Sequence, residues 1–117
     1  MEILFIVLND LTLLETIMEI FVKLNVRGAT LLESEGMAKA ILQNEGLSFL
    51  LRGPFEKMLP KATSNSKTIF TVIQDEGTAK KVVEEIQNSL SKSESSTIGF
   101  MFTMPVSGIY PLKKKSN

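Results

Sequence analysis

Four strand-like runs, apolar at nearly every position, share this chain with only two long amphipathic helical stretches, and that mismatch limits the folds open to it. The first run, residues 3–8 (ILFIVL), is β-branched and aromatic and is bounded by Asn9 and Asp10, as suits a central strand. Asp10 or Thr12 is placed to cap the helix that follows, with Thr12 and Glu15 at capping-box spacing. That helix is expected over about 11–25, with Leu14, Ile17, Met18, Phe21 and Leu24 on one stripe. Gly28 either ends the helix or marks a place where another molecule approaches the backbone. A second strand is expected over roughly 27–34, interrupted by Gly36, with room to resume toward Leu42.

Between 43 and 66 the periodicity is lost. Leu47, Phe49, Leu50 and Leu51 form an apolar cluster, Gly53, Pro54 and Pro60 punctuate, and a Ser/Thr-rich run closes the segment. Irregular segments of this length inside a compact domain are uncommon and are usually functional or disordered. The density of large apolar residues argues for function, because flexible linkers seldom carry them. Residues 67–74 (KTIFTVIQ) alternate as a third strand. A turn at 75–78 leads into a second helix with Ala79, Val82, Val83, Ile86 and Leu90 on one stripe. The polar run 91–96 connects to a fourth strand over 97–104, ended by Pro105 and Gly108. Residues 1–112 are thus expected to form a single domain, with a frayed tail at 113–117 that carries three consecutive lysines.

The order β-α-β, long loop, β-α-β predicts an α+β, ferredoxin-like sandwich: a four-stranded antiparallel sheet with two helices on one face. Two helices cannot cover both faces. Phe5, Val7, Phe70, Val72, Phe100, Phe102 and Met104 would leave an apolar patch larger than a monomer ordinarily exposes. Burial against further copies follows, and closed cyclic assemblies are the common solution.

Composition removes several function classes. Thirteen basic residues balance thirteen acidic ones, so no net field favours nucleic acid or an anionic surface. The chain has no cysteine and no histidine, which excludes thiolate chemistry, the usual zinc ligands and the usual neutral-pH proton shuttle. The pairs Glu33/Glu35 and Glu84/Glu85 suit solvent-facing charge, and nothing pairs a nucleophile with a base, so no enzymatic activity is expected. The N-terminal apolar run is too short for a signal-peptide core or a membrane span, and a cytoplasmic setting is expected.

In the order and spacing of ILFIVLND, VRGATLLESEGM, KTIFTVIQDE and TIGFMFTMPVSGI, the chain resembles the PII signalling proteins that regulate nitrogen metabolism, and more closely their PII-like relatives. The resemblance implies a homotrimer whose sheets line a central cavity, with a small-molecule site in each cleft between subunits. In most studied members that ligand is a nucleotide, so a nucleotide or other small anion is the implied ligand. The segment 35–66 corresponds to the effector loop, which would dock on a transporter or an enzyme, with Leu47, Phe49, Arg52 and Phe55 as candidate partner contacts. By position, Gly28, Ala29 and Thr30 fall on the nucleotide-contacting turn, and Gly36, Met37 and Lys39 at the base of the loop. Lys92, Thr97 and Lys113 are the remaining candidate ligand contacts. Departures from the family pattern are equally plain. The loop before the fourth strand, 93–97 (SESST), lacks the family's glycines and carries Glu94, an acid that would repel phosphate. The C-terminal arginines have no counterpart, and the 35–66 loop has no tyrosine. Two further readings share the architecture: a metal-binding trimer using carboxylates alone, and a small acyl-phosphate hydrolase. The hydrolase would want an arginine in the first β–α loop, which residues 8–11 (LNDL) lack.

Overall fold

The computed structural model describes residues 1–44, 46, 49, 65–95 and 98–115. Strands β1 (Glu2–Leu8), β2 (Thr30–Ser34), β3 (Ser66–Ile73) and β4 (Gly99–Pro105) form one sheet in the order β2-β3-β1-β4, every neighbouring pair antiparallel. Helices α1 (Leu14–Lys23), α2 (Met37–Gln43) and α3 (Glu76–Ser89) complete the fold. The expected α+β, ferredoxin-like arrangement is therefore present, with one helix, α2, among the described residues that the sequence did not suggest.

Strand parity sorts the two sheet faces. Leu4, Ile6 and Leu8 of β1 and Ile69 and Ile73 of β3 are buried beneath the helices, where they meet Ile17, Ile20 and Phe21 of α1 and Ala79, Val82 and Ile86 of α3. The alternate positions Ile3, Phe5, Val7, Phe70 and Val72 are only half-buried. β4 is an edge strand, and of its residues Met101 packs against the core, while Phe100, Phe102 and Met104 are exposed. Phe70, Phe5 and Phe102 stand in one cross-strand row with ring centroids 5.7 and 5.0 Å apart, and Phe100 stacks on Phe102 at 6.3 Å. The face of the sheet away from α1 and α3 thus carries a row of aromatic rings among the described residues, on the face where the count of apolar positions placed it.

The local corrections have simple causes. Asp10, not Thr12, is the first cap: its carboxylate accepts the Thr12 N–H and hydroxyl, opening a 3₁₀ turn (Leu11–Leu13) that runs into α1. α1 ends on Asn25, not Gly28. Asn25 sits in the left-handed region at φ 60°, and the Asn25 and Val26 N–H groups donate to the Val22 and Phe21 carbonyls at 3.1 and 2.8 Å. This is a Schellman ending, with asparagine doing what glycine usually does. The extended run expected to resume past Gly36 is instead α2. Met37, Ala38, Lys39, Ala40, Leu42 and Gln43 are all strong helix formers, and their preference prevails once Gly36 has ended the strand.

Asp75 caps α3, accepting the Thr78 N–H and hydroxyl, each at 2.9 Å. The Thr78 N–H foremost, and then its hydroxyl, hold the Asp75 carboxyl below its ordinary 3.8. A depressed carboxyl contributes stability above its unfolded value and loses it as pH falls through the folded one. Asp75→Ala is therefore expected to lower the thermal midpoint at neutral pH and to differ little from the parent well below 3.8. Melts at the two pH values check this, and an equal gap at both would contradict it.

Candidate functional site

The sheet separates the candidate ligand residues into three groups. Gly28, Ala29 and Thr30 lie where β2 begins, all exposed. The Gly28 carbonyl accepts the hydroxyl of Thr71, a residue 4% exposed on β3, so the turn before β2 is fixed to the sheet by a buried side chain. A Cβ at Gly28 would meet nothing within 4 Å, so no contact inside this chain demands glycine there.

The second group lies at the other end of β2. Ser34 and Ser66 face each other across the last β2–β3 register pair; their hydroxyls are 2.8 Å apart, and the Ser66 hydroxyl donates to the Ser34 carbonyl. Lys67 pairs with Glu33 at 3.3 Å in the adjacent register. Gly36 caps α2, and Lys39 on that helix donates to the Asn65 side chain at 2.9 Å. These contacts close the base of the segment that leaves the sheet after Ser34 and returns at Ser66. Met37 is 62% exposed beside that base, and Phe49 is exposed further along. Leu47, Arg52 and Phe55 lie outside the described residues.

The third group follows α3. Lys92 ends a 3₁₀ turn (Leu90–Lys92) and is exposed; Thr97 lies outside the described residues. Lys113 lies beyond β4, in the exposed segment that leaves the opposite end of the sheet, where the Val106 N–H donates to the Met1 carbonyl. β2 and β4 are the two edges of the sheet, about 14 Å apart at three spacings of ~4.8 Å. One chain therefore does not bring Gly28, Lys39 and Lys92 together.

A cluster that sequence reasoning did not assign lies beside the third group. Ser93 donates its hydroxyl to the Asp10 carboxylate, which also holds Thr12. Ser93 foremost, then Thr12, hold the Asp10 carboxyl below its ordinary value. Asp10 was visible as a helix cap, but no spacing links it to a serine 83 positions away. Among the described residues, no three acidic side chains converge as metal ligands would, and no helix is long and apolar enough to cross a membrane.

The sheet order, the base at Ser34 and Ser66 and the loop after α3 define the frame, and the family model for nitrogen regulatory protein P-II matches residues 1–116 of it. The chain belongs to the P-II family. No curated protein matches it. P-II proteins are generally non-catalytic signalling proteins, and the family match supports a PII-like signalling protein.

Proposed function

We propose that this P-II protein is a non-catalytic regulator that works as a homotrimer, binds a small-molecule effector in the clefts between subunits, and regulates a partner protein through the 35–66 loop. The observation that carries the reading is the aromatic ladder. Phe5, Phe70, Phe100 and Phe102, with Met104, put an apolar surface on the sheet face opposite the helices, and Phe100 is 60% exposed in the single chain. Such a surface is stable in water only when covered, and three copies closing around an axis cover it symmetrically.

Assembly also answers the separation of the ligand residues. Gly28, Ala29 and Thr30 on one sheet edge would meet Lys92, Thr97 or Lys113 of a neighbouring copy, forming a cleft that no single chain has. Gly36, Met37 and Lys39 sit at the root of the loop, at the other end of β2, so an effector at Gly28–Thr30 would act on the loop through that strand. The target would be a transporter or an enzyme engaged by the loop, in keeping with the family.

Calorimetric titration with ATP, ADP, AMP and cyclic dinucleotides tests the effector. Saturable heat at one site per subunit is expected for at least one of them. Silence across the whole panel would remove nucleotide sensing.

A further inference from the structure

The loop between α3 and β4 is fastened at both ends to the turn between β1 and α1. The Asn9 and Asp10 N–H groups donate to the Ile98 carbonyl at 2.8 and 3.1 Å, at the end where β4 begins. At the other end the Ser93 hydroxyl donates to one oxygen of the Asp10 carboxylate, and the second oxygen takes the Thr12 N–H at 3.1 Å and the Thr12 hydroxyl at 2.6 Å. The Ser93 oxygen accepts the Ser95 N–H at 3.1 Å, extending the chain of bonds into the loop. Ser93, where the loop begins, is thus held on a carboxylate supplied by the chain itself. Glu94 adds a second exposed acid in the same stretch.

A phosphate bound by such a loop needs free N–H and O–H donors and a positive local field. Here the Ser93 hydroxyl already has an anionic partner, and any second anion arriving at it meets the Asp10 charge at close range. We propose that Asp10 is the positioning residue of residues 93–95, where the α3–β4 loop begins, and that its carboxylate, acting as a built-in anion, makes this stretch accept a neutral or cationic ligand group in preference to a phosphate. This rests on the reading that the effector cleft is bounded by that loop. It narrows the effector to molecules whose group at this loop is an amide, a hydroxyl, an amine or a similar donor.

Two measurements on the full chain test the two halves. Hydrogen exchange without any ligand reads the positioning: Asp10→Ala, which leaves Ser93 in place, is expected to speed exchange of the Ser95 amide roughly tenfold, a loss of about 1.4 kcal/mol in local protection. Adding Ser93→Ala to Asp10→Ala should bring little further change, because both cut the same chain of bonds. An unchanged Ser95 amide in Asp10→Ala, or fully additive effects, would overturn the positioning role.

Titration with inorganic triphosphate, followed by NMR at residues 93–95, reads the charge. Wild type is expected to give weak or no saturable shift, and Asp10→Asn, which keeps the shape and removes the charge, to bind at least about fivefold tighter. The repulsion between like charges at contact range sets the direction of that change. Equal affinity in the two proteins would overturn the selectivity. Failure of the cleft reading itself appears elsewhere, in the mass of the assembly, so the two failures are distinguishable.

Discussion

Phe102→Glu is expected to leave a folded subunit that sediments at the 13.0 kDa of one chain instead of three times that mass. Phe102 is on the face of the sheet away from the helices, 42% exposed in the single chain, and its ring stacks on Phe5 at 5.0 Å. Its replacement removes no contact with Ile17, Val82 or the rest of the buried core, so far-UV circular dichroism should change little. In an assembly, however, each copy would bury a carboxylate with no cation facing it from Phe5, Phe70 or Phe100. An unpaired buried charge is unfavourable by several kcal/mol. Three copies act together, so association should weaken at least about a thousandfold, ~4 kcal/mol. Val22→Glu is the control. Val22 is 78% exposed on the helix side of the molecule, away from the ladder, and its replacement should leave the mass unchanged. If Phe102→Glu keeps the wild-type mass, the ladder is not the assembly surface.

Gly99→Ala should do the opposite, damaging the subunit itself. Gly99 begins β4 at φ 143°, a conformation that side chains rarely adopt, and an added Cβ would lie 2.0 Å from the Val7 carbonyl oxygen. No rotamer relieves this contact, because it is between Cβ and backbone. The start of β4 would have to move away from β1, disturbing the Leu8–Gly99 register and the fastening of Ile98 to Asn9 and Asp10. Strain of this kind alone is worth ~1–3 kcal/mol, and with the displaced strand the loss should reach about 3 kcal/mol. For a domain of this size that lowers the thermal midpoint by roughly 10 °C or more. Equilibrium urea unfolding checks it, and a variant as stable as wild type would mean that β4 does not begin this way.

Much of the fold could be read from the chain because the strands advertise their period. In β1 and β3, Leu4, Ile6, Leu8, Ile69 and Ile73 are buried while Phe5, Val7, Phe70 and Val72 are not, and this alternation within apolar runs is what pointed to a second surface needing cover. Two local readings went astray for physical reasons. Gly28 looked like the helix stop because glycine is the commonest left-handed ending, yet Asn25 tolerates that conformation and comes first. Met37 to Leu42 looked extended because a short apolar segment has no distinctive period, and its alanines and lysine favour a helix once the strand has ended.

The site was less legible than the fold. Gly28, Thr30, Gly36 and Lys39 are candidates through family resemblance alone, since nothing in an isolated glycine or threonine announces a ligand. The Thr71 hydroxyl that fixes the Gly28 carbonyl, the Ser34–Ser66 pair and the Ser93–Asp10 bond each join residues brought together only by the sheet. A cleft shared between subunits, as proposed, would leave still less trace, because its two halves would come from different copies.

Sedimentation equilibrium of the wild-type protein at working concentration tests the central claim most directly. A single species of three times 13.0 kDa, unchanged on moderate dilution, is the predicted result. A stable 13.0 kDa species would contradict it, and the shared cleft and the regulatory loop mechanism built on it would fall as well.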